Sequence, residues 1–163
     1  MLWEKLPFIW QDLFNRVVWQ GERFHGICVG PGSLTGHHSE RNGNFRHMVE
    51  TGEAVLALLP QHPAADPDIA LFIGLVHDFG KAVEYMVSSE GWAMSDIGSI
   101  RGHKNILGDW LAEARKGLRP DLPELVYHSM RHALEAVRNV PFESGLRQPM
   151  TPEAKLLSLA DQS

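Results

Sequence analysis

The sequence predicts an all-α fold, on three observations. Apolar residues recur at helical spacing over most of the chain. Helix starts are marked by prolines at first-turn positions, at Pro7, Asp66-Pro67, Pro123 and Thr151-Pro152. Apart from loops, one stretch, Ala82 to Ile97, lacks a helical period.

In chain order, Phe8 to Gln20 reads as an amphipathic helix, with Ile9, Leu13, Phe14, Val17 and Val18 on one face. Gly26 to Asn44 is rich in Gly, Ser, Asn and Pro and reads as a loop. Phe45 to Leu59 is a second helix, with Pro60 as its stop. Asp66 is an N-cap and opens a third helix, whose apolar run Ile69 to Val76 ends at His77-Asp78. In Ala82 to Ile97, alternation of Val83, Tyr85 and Val87 before Ser89-Glu90-Gly91 predicts a short hairpin. His103 to Lys116 is a helix closed by Gly117, and Leu122 to Val137 is another. Arg138 to Met150 is a loop, and Thr151-Pro152-Glu153 starts a last helix that carries Asp161.

The 163 residues suit one domain, with residues 1–44 as an N-terminal helix and loop and residues 45–163 as a helical core. The chain stops just after Asp161, so it also reads as a piece of a longer protein. Hydrophobic content is 44%, ordinary for a globular protein, and no apolar stretch reaches the length of a membrane span. The single cysteine, Cys28, rules out an internal disulfide and fits the cytoplasm. With 15 basic against 20 acidic residues, the net charge of −5 argues against tight nucleic-acid binding by counterion release. Nucleic acid would then be reached through a separate domain or partner. Oligomeric state is not legible.

Histidine is the unusual component, with nine in the chain. Most fall in an ordered series: His47, His77-Asp78, His103, His128, His132, then Asp161. His47, His77, Asp78 and Asp161 lie on three helices, and side chains from several helices can converge on one ion in a bundle core. Two imidazoles and two carboxylates leave coordination positions open for water and substrate. The mixed set suits Mn²⁺, Fe²⁺, Co²⁺, Ni²⁺ or Zn²⁺ better than Mg²⁺, which prefers oxygen.

This series, with Phe79-Gly80-Lys81 after the His-Asp pair, resembles the HD-domain metal-dependent phosphohydrolases. The resemblance implies an HD-domain helical bundle. It also implies that Lys81 faces substrate phosphate and that Gly80 allows a sharp exit from the helix. In two-metal members, later histidines hold a second ion that the Asp of the pair bridges. That makes His103, His132 and His128 ligands to a second ion, or alternatively phosphate contacts or helix caps, so one or two ions are expected, with Mn²⁺ first.

A finer resemblance lies in His37-His38 through Gly43-Asn44-Phe45-Arg46-His47 and in Pro149-Met150-Thr151-Pro152-Glu153-Ala154 before Asp161. These segments look like the HD domains of bacterial 3′-to-5′ exoribonucleases and of one class of conjugative relaxases. The chain departs from them at Asn44, at Met48 and at Arg131, which precedes His132 where those relatives carry paired histidines.

The resemblance implies phosphodiesterase or nuclease action on a nucleotide or on single-stranded nucleic acid. Asp78 would orient water, His103 or His132 would protonate the leaving oxygen, and Lys81, His38 and Arg131 would contact phosphate. The alternatives are a nucleotide phosphomonoesterase or triphosphohydrolase, and a non-catalytic HD module of a larger conjugation or nucleic-acid-processing protein.

Overall fold

A computed structural model describes residues 1–35 and 38–162. The described elements are α1 (Phe8–Val18), α2 (Arg23–Val29), α3 (Gly43–Leu58), α4 (Pro67–Val76), α5 (Lys81–Glu84), β1 (Tyr85–Ser88), β2 (Gly91–Met94), α6 (Asp96–Arg101), α7 (His103–Arg115), α8 (Glu124–Glu135) and α9 (Pro152–Asp161). The fold is all-α apart from the β1–β2 hairpin, which pairs antiparallel with Tyr85 opposite Met94 and Ser88 opposite Gly91. No helix among the described residues is long and apolar enough to cross a membrane.

The centre of the bundle is α4. Its start is built as the sequence implies: Asp66 Oδ1 accepts from the backbone N–H of Asp68 at 2.9 Å and of Ile69 at 3.1 Å. A cap of this kind stabilises a helix by about 1 kcal/mol. Every residue from Ile69 to Val76 is buried, so this helix has no solvent face. Trp10 from α1 packs on Phe72 with ring centroids 4.9 Å apart, and Phe14 meets Phe79 edge-on at 5.4 Å.

Helices α3, α4 and α9 pack against one another pairwise. Small residues let α3 and α4 approach closely: a Cβ added at Gly74 would lie 3.0 Å from Val55 Cγ2 and 3.9 Å from Gly52 Cα. The start of α9 is tied to the start of α4, because the buried Glu153 carboxylate accepts from the Asp66 N–H at 2.7 Å. These three helices carry His47, His77-Asp78 and Asp161.

The structure corrects the sequence reading at three places. The expected loop from Gly26 is partly helical, since α2 runs to Val29. Gly26 is there for packing: a Cβ at this position would come within 3.1 Å of Ala82 Cβ. The stretch Ala82 to Ile97 is a hairpin flanked by short helices, α5 before it and α6 after it. Ser95 caps α6 by accepting from Gly98 N–H at 2.9 Å, and Gly102, at φ +76°, separates α6 from α7. Finally, Gly80 does not make a sharp exit, because its φ of −60° and ψ of −20° are open to any residue. What excludes a side chain at Gly80 is the backbone carbonyl of His103, packed directly against it.

Candidate metal centre

His47 projects from the second turn of α3, His77 and Asp78 from the end of α4, and Asp161 from the last turn of α9. One donor atom from each lies within 4.8 Å of all the others. His47 Nε2 is 3.2 Å from His77 Nε2 and 2.7 Å from Asp161 Oδ1. His77 Nε2 is 3.2 Å from the same Asp161 oxygen and 3.4 Å from Asp78 Oδ2, which is 3.5 Å from His47 Nε2.

These separations suit an ion. With bonds of about 2.1 Å, neighbouring ligand atoms sit about 3.0 Å apart in an octahedron and about 3.4 Å apart in a tetrahedron. The orientation of His77 suits one too. Its Nδ1 is 3.0 Å from the Gly74 carbonyl, which can only accept, so Nδ1 carries the proton and Nε2 is the nitrogen left for a metal. The four side chains that converge here are two imidazoles and two carboxylates, a set that could hold an ion.

The charges of the cluster act strongly on one another. Burial alone would lower the His77 imidazole, but Asp78 and Asp161 outweigh it and push its pKa up to about 10. Burial would raise Asp78, yet His77, then Lys81 and His103, hold its carboxyl well below the usual range. Asp161 is also held low: burial opposes this, but hydrogen bonds from His47 and His77 prevail.

The two Asp78 oxygens face different partners. Lys81 Nζ donates to Asp78 Oδ2 at 2.9 Å and to the Gly32 carbonyl at 2.7 Å. Asp78 Oδ1 faces His103 Nε2 at 3.4 Å. His103 is in turn held by Glu84, whose Oε2 accepts from the His103 backbone N–H and lies 3.0 Å from its Nδ1. The carboxylate keeps the proton on Nδ1 and points Nε2 toward Asp78. The contact between Gly80 and the His103 backbone fixes the start of α7 at this place.

Glu84 was not among the residues singled out by sequence. It lies one helical turn beyond Lys81, but a buried glutamate reads as an ordinary surface acid until its partner is known.

The cluster forms one wall of a cavity of about 770 Å³ that His38, Lys81, His103, Lys104, Arg138 and the apolar side chains of Leu134, Val137 and Leu157 also line. His38 comes from the loop before α3, pairs with Glu50 at 3.1 Å, and has its ring 5.2 Å from that of His47. The expectation on His37 lies outside the described residues.

The structure does not bring His128, His132 or Arg131 to the cluster, and none of them lines the cavity. The phase of α8 decides this. Its buried face carries Tyr127, Met130, Ala133 and Leu134, and the cavity meets Ala133 and Leu134. His128 sits on the exposed side with Glu124 at 2.9 Å. His132 Nε2 accepts from the Met150 N–H at 3.0 Å and so ties the 138–150 loop to α8. Arg131 donates to Tyr127 Oη at 2.7 Å and to Glu135 Oε1. Of the later histidines, only His103 reaches Asp78.

The HD-domain family model matches residues 44–163, and the chain belongs to the HD-domain family. That family consists in general of metal-dependent hydrolases, so a divalent metal is expected where the His and Asp side chains converge. No curated protein and no solved structure matches the chain.

Proposed function

We propose that the chain is a divalent-metal-dependent phosphodiesterase or nuclease acting on a nucleotide or on single-stranded nucleic acid. The observation that carries this reading is the convergence of His47, His77, Asp78 and Asp161 beside the Lys81 ammonium in a cavity of about 770 Å³. Pockets of a few hundred to about 1,000 Å³ hold ligands of nucleotide size. The finer resemblance to exoribonuclease and relaxase HD domains supports a diester over a monoester, since His38 and Pro149 from its two segments both line the cavity.

A divalent ion in this donor set, with Mn²⁺ the first choice, supplies Lewis acidity and lowers the pKa of water toward neutrality. The chain supplies the rest. Asp78 orients the attacking water through its carboxylate. Lys81 offsets charge on the non-bridging phosphate oxygens. His103, with Nδ1–H held by Glu84, exchanges a proton with the leaving oxygen at Nε2. Among the described residues, four donors are in place for one ion, while His103 and Asp78 Oδ1 are the pair in place for a second. We therefore assign one tightly held ion.

The test is metal analysis of purified protein together with hydrolysis of bis(p-nitrophenyl) phosphate and p-nitrophenyl phosphate with added Mn²⁺. About one equivalent of metal and a preference for the diester are expected. No bound metal, or diester hydrolysis that survives Asp78→Ala, would overturn the reading.

A further inference from the structure

The cationic side of the cavity extends past the reacting centre. Lys81 stands at the reacting centre, where it donates to Asp78 and the Gly32 carbonyl. Lys104 and Arg138 line the same cavity from the first turn of α7 and from the turn after α8. Burial lowers the pKa of the Lys104 ammonium against the opposing pull of Asp78 and Asp161, and the ammonium donates to the Ala136 carbonyl at 2.9 Å. Arg138 is exposed and makes no hydrogen bond or ion pair among the described residues. Its neighbour Asn139, at φ +62°, turns the chain at the cavity edge.

Three cations against the two carboxylates of Asp78 and Asp161 leave this cavity positive in a chain whose net charge is −5, before a divalent ion adds more. A single diester carries one negative charge and cannot use all of that field. The apolar side chains of Leu134, Val137 and Leu157 line the same cavity as Lys104 and Arg138, a surface suited to a sugar or base.

We infer that Lys104 and Arg138 form a second phosphate subsite, which selects substrates carrying another phosphate next to the one that reacts. This rests on the phosphodiesterase reading above. It moves the role expected for Arg131, whose guanidinium is held by Tyr127 and Glu135, to Arg138, whose fork is free to take a phosphate. Two sources have this chemistry, a short single-stranded oligonucleotide and a nucleoside polyphosphate.

The test uses Lys104→Gln and Arg138→Gln. Glutamine keeps a polar donor and an unbranched stem, so Lys104→Gln removes the charge with little change of shape. The first readout is binding of 5′-fluorescein trithymidylate by anisotropy across a salt series, with Ca²⁺ in place of Mn²⁺, and displacement of that probe by thymidine triphosphate. Each variant is expected to bind the probe several-fold more weakly and to flatten the log–log salt slope by about 0.7. The second readout is the ratio of kcat/KM for trithymidylate to that for bis(p-nitrophenyl) phosphate, expected to fall about 10-fold. Displacement by the triphosphate at lower concentration than by unlabelled trithymidylate would assign the subsite to nucleoside polyphosphates, and the reverse order to strands.

Salt slopes equal to wild type in both variants, or no probe binding by the wild type, would overturn the subsite. Metal content measured on the same samples separates that failure from failure of the phosphodiesterase reading, which would show as an absence of bound metal.

Discussion

Binding of a divalent ion to this protein should release a proton, because the raised pKa of His77 sets what the ion must displace. His47 and His77 point Nε2 at each other across 3.2 Å with two carboxylates beside them. With the His77 pKa pushed up to about 10, chelator-treated protein holds the imidazolium throughout the neutral range. An ion that takes His77 Nε2 must displace that proton. At about pH 7.5 the group is more than 2 units below its pKa, so uptake should release about one proton per ion, and apparent affinity should rise about 10-fold per pH unit, or about 1.4 kcal/mol.

The assay is calorimetric Mn²⁺ titration in two buffers of different ionisation enthalpy, repeated between about pH 6.5 and 8.5. Stability gives a second check on the sign. The folded pKa of about 10 lies above the unfolded value of 6.5, so this pairing stabilises chelator-treated protein fully below pH 6.5. The contribution is lost as pH rises from there through about 10, and Tm should fall over that window more in chelator-treated than in Mn²⁺-loaded protein. Proton-neutral uptake with affinity flat across pH would refute the reasoning.

Three variants test the division of labour in the site. Asp78→Ala should lose both metal and turnover, measured by metal analysis and diester hydrolysis, because it removes the one carboxylate that faces the donor cluster, Lys81 and His103. Lys81→Ala should keep its metal and lose turnover by about 10²-fold, and loss of metal in this variant would make Lys81 a support for Asp78 instead. Glu84→Ala leaves the His103 N–H and Nδ1–H without their buried acceptor, so it should cost about 2 kcal/mol or more in denaturant unfolding and lower turnover, with Glu84→Gln milder in both.

The helices and the four-donor cluster were legible because their signals are local or ordered. A proline after Asp66 or Thr151 marks a helix start whatever packs on it, and His47, His77, Asp78 and Asp161 follow one another in a recognisable series. What was not legible depends on contacts between distant segments. Gly26 looks like a loop residue until Ala82 is seen against it, and Gly80 looks like a turn glycine until the His103 carbonyl is seen to occupy the place of its Cβ. The i, i+4 spacing of His128 and His132 correctly puts them on one face of α8, but only the core shows that the cavity meets a different face.

The site is thus supported by two separate pieces of the fold. The His and Asp cluster rests on α3, α4 and α9; α3 and α4 pack closely at Gly52 and Gly74, and the starts of α4 and α9 are tied by Asp66 and Glu153. The side proposed to handle the proton rests on α5 to α7, where Gly80 and Gly98 admit close backbone contact and Glu84 holds His103. Asp78 is the one residue that faces both, through Oδ2 and Oδ1 respectively. Disturbing the first piece should therefore appear as lost metal. Disturbing the second should appear as lost turnover with metal retained, and Gly80→Ala tests that separation. Its Cβ would meet the His103 carbonyl and displace the start of α7, while α3 and α9 are untouched. Metal retained with turnover lowered is the expected result. Metal and turnover lost together would show that the two pieces move as one body.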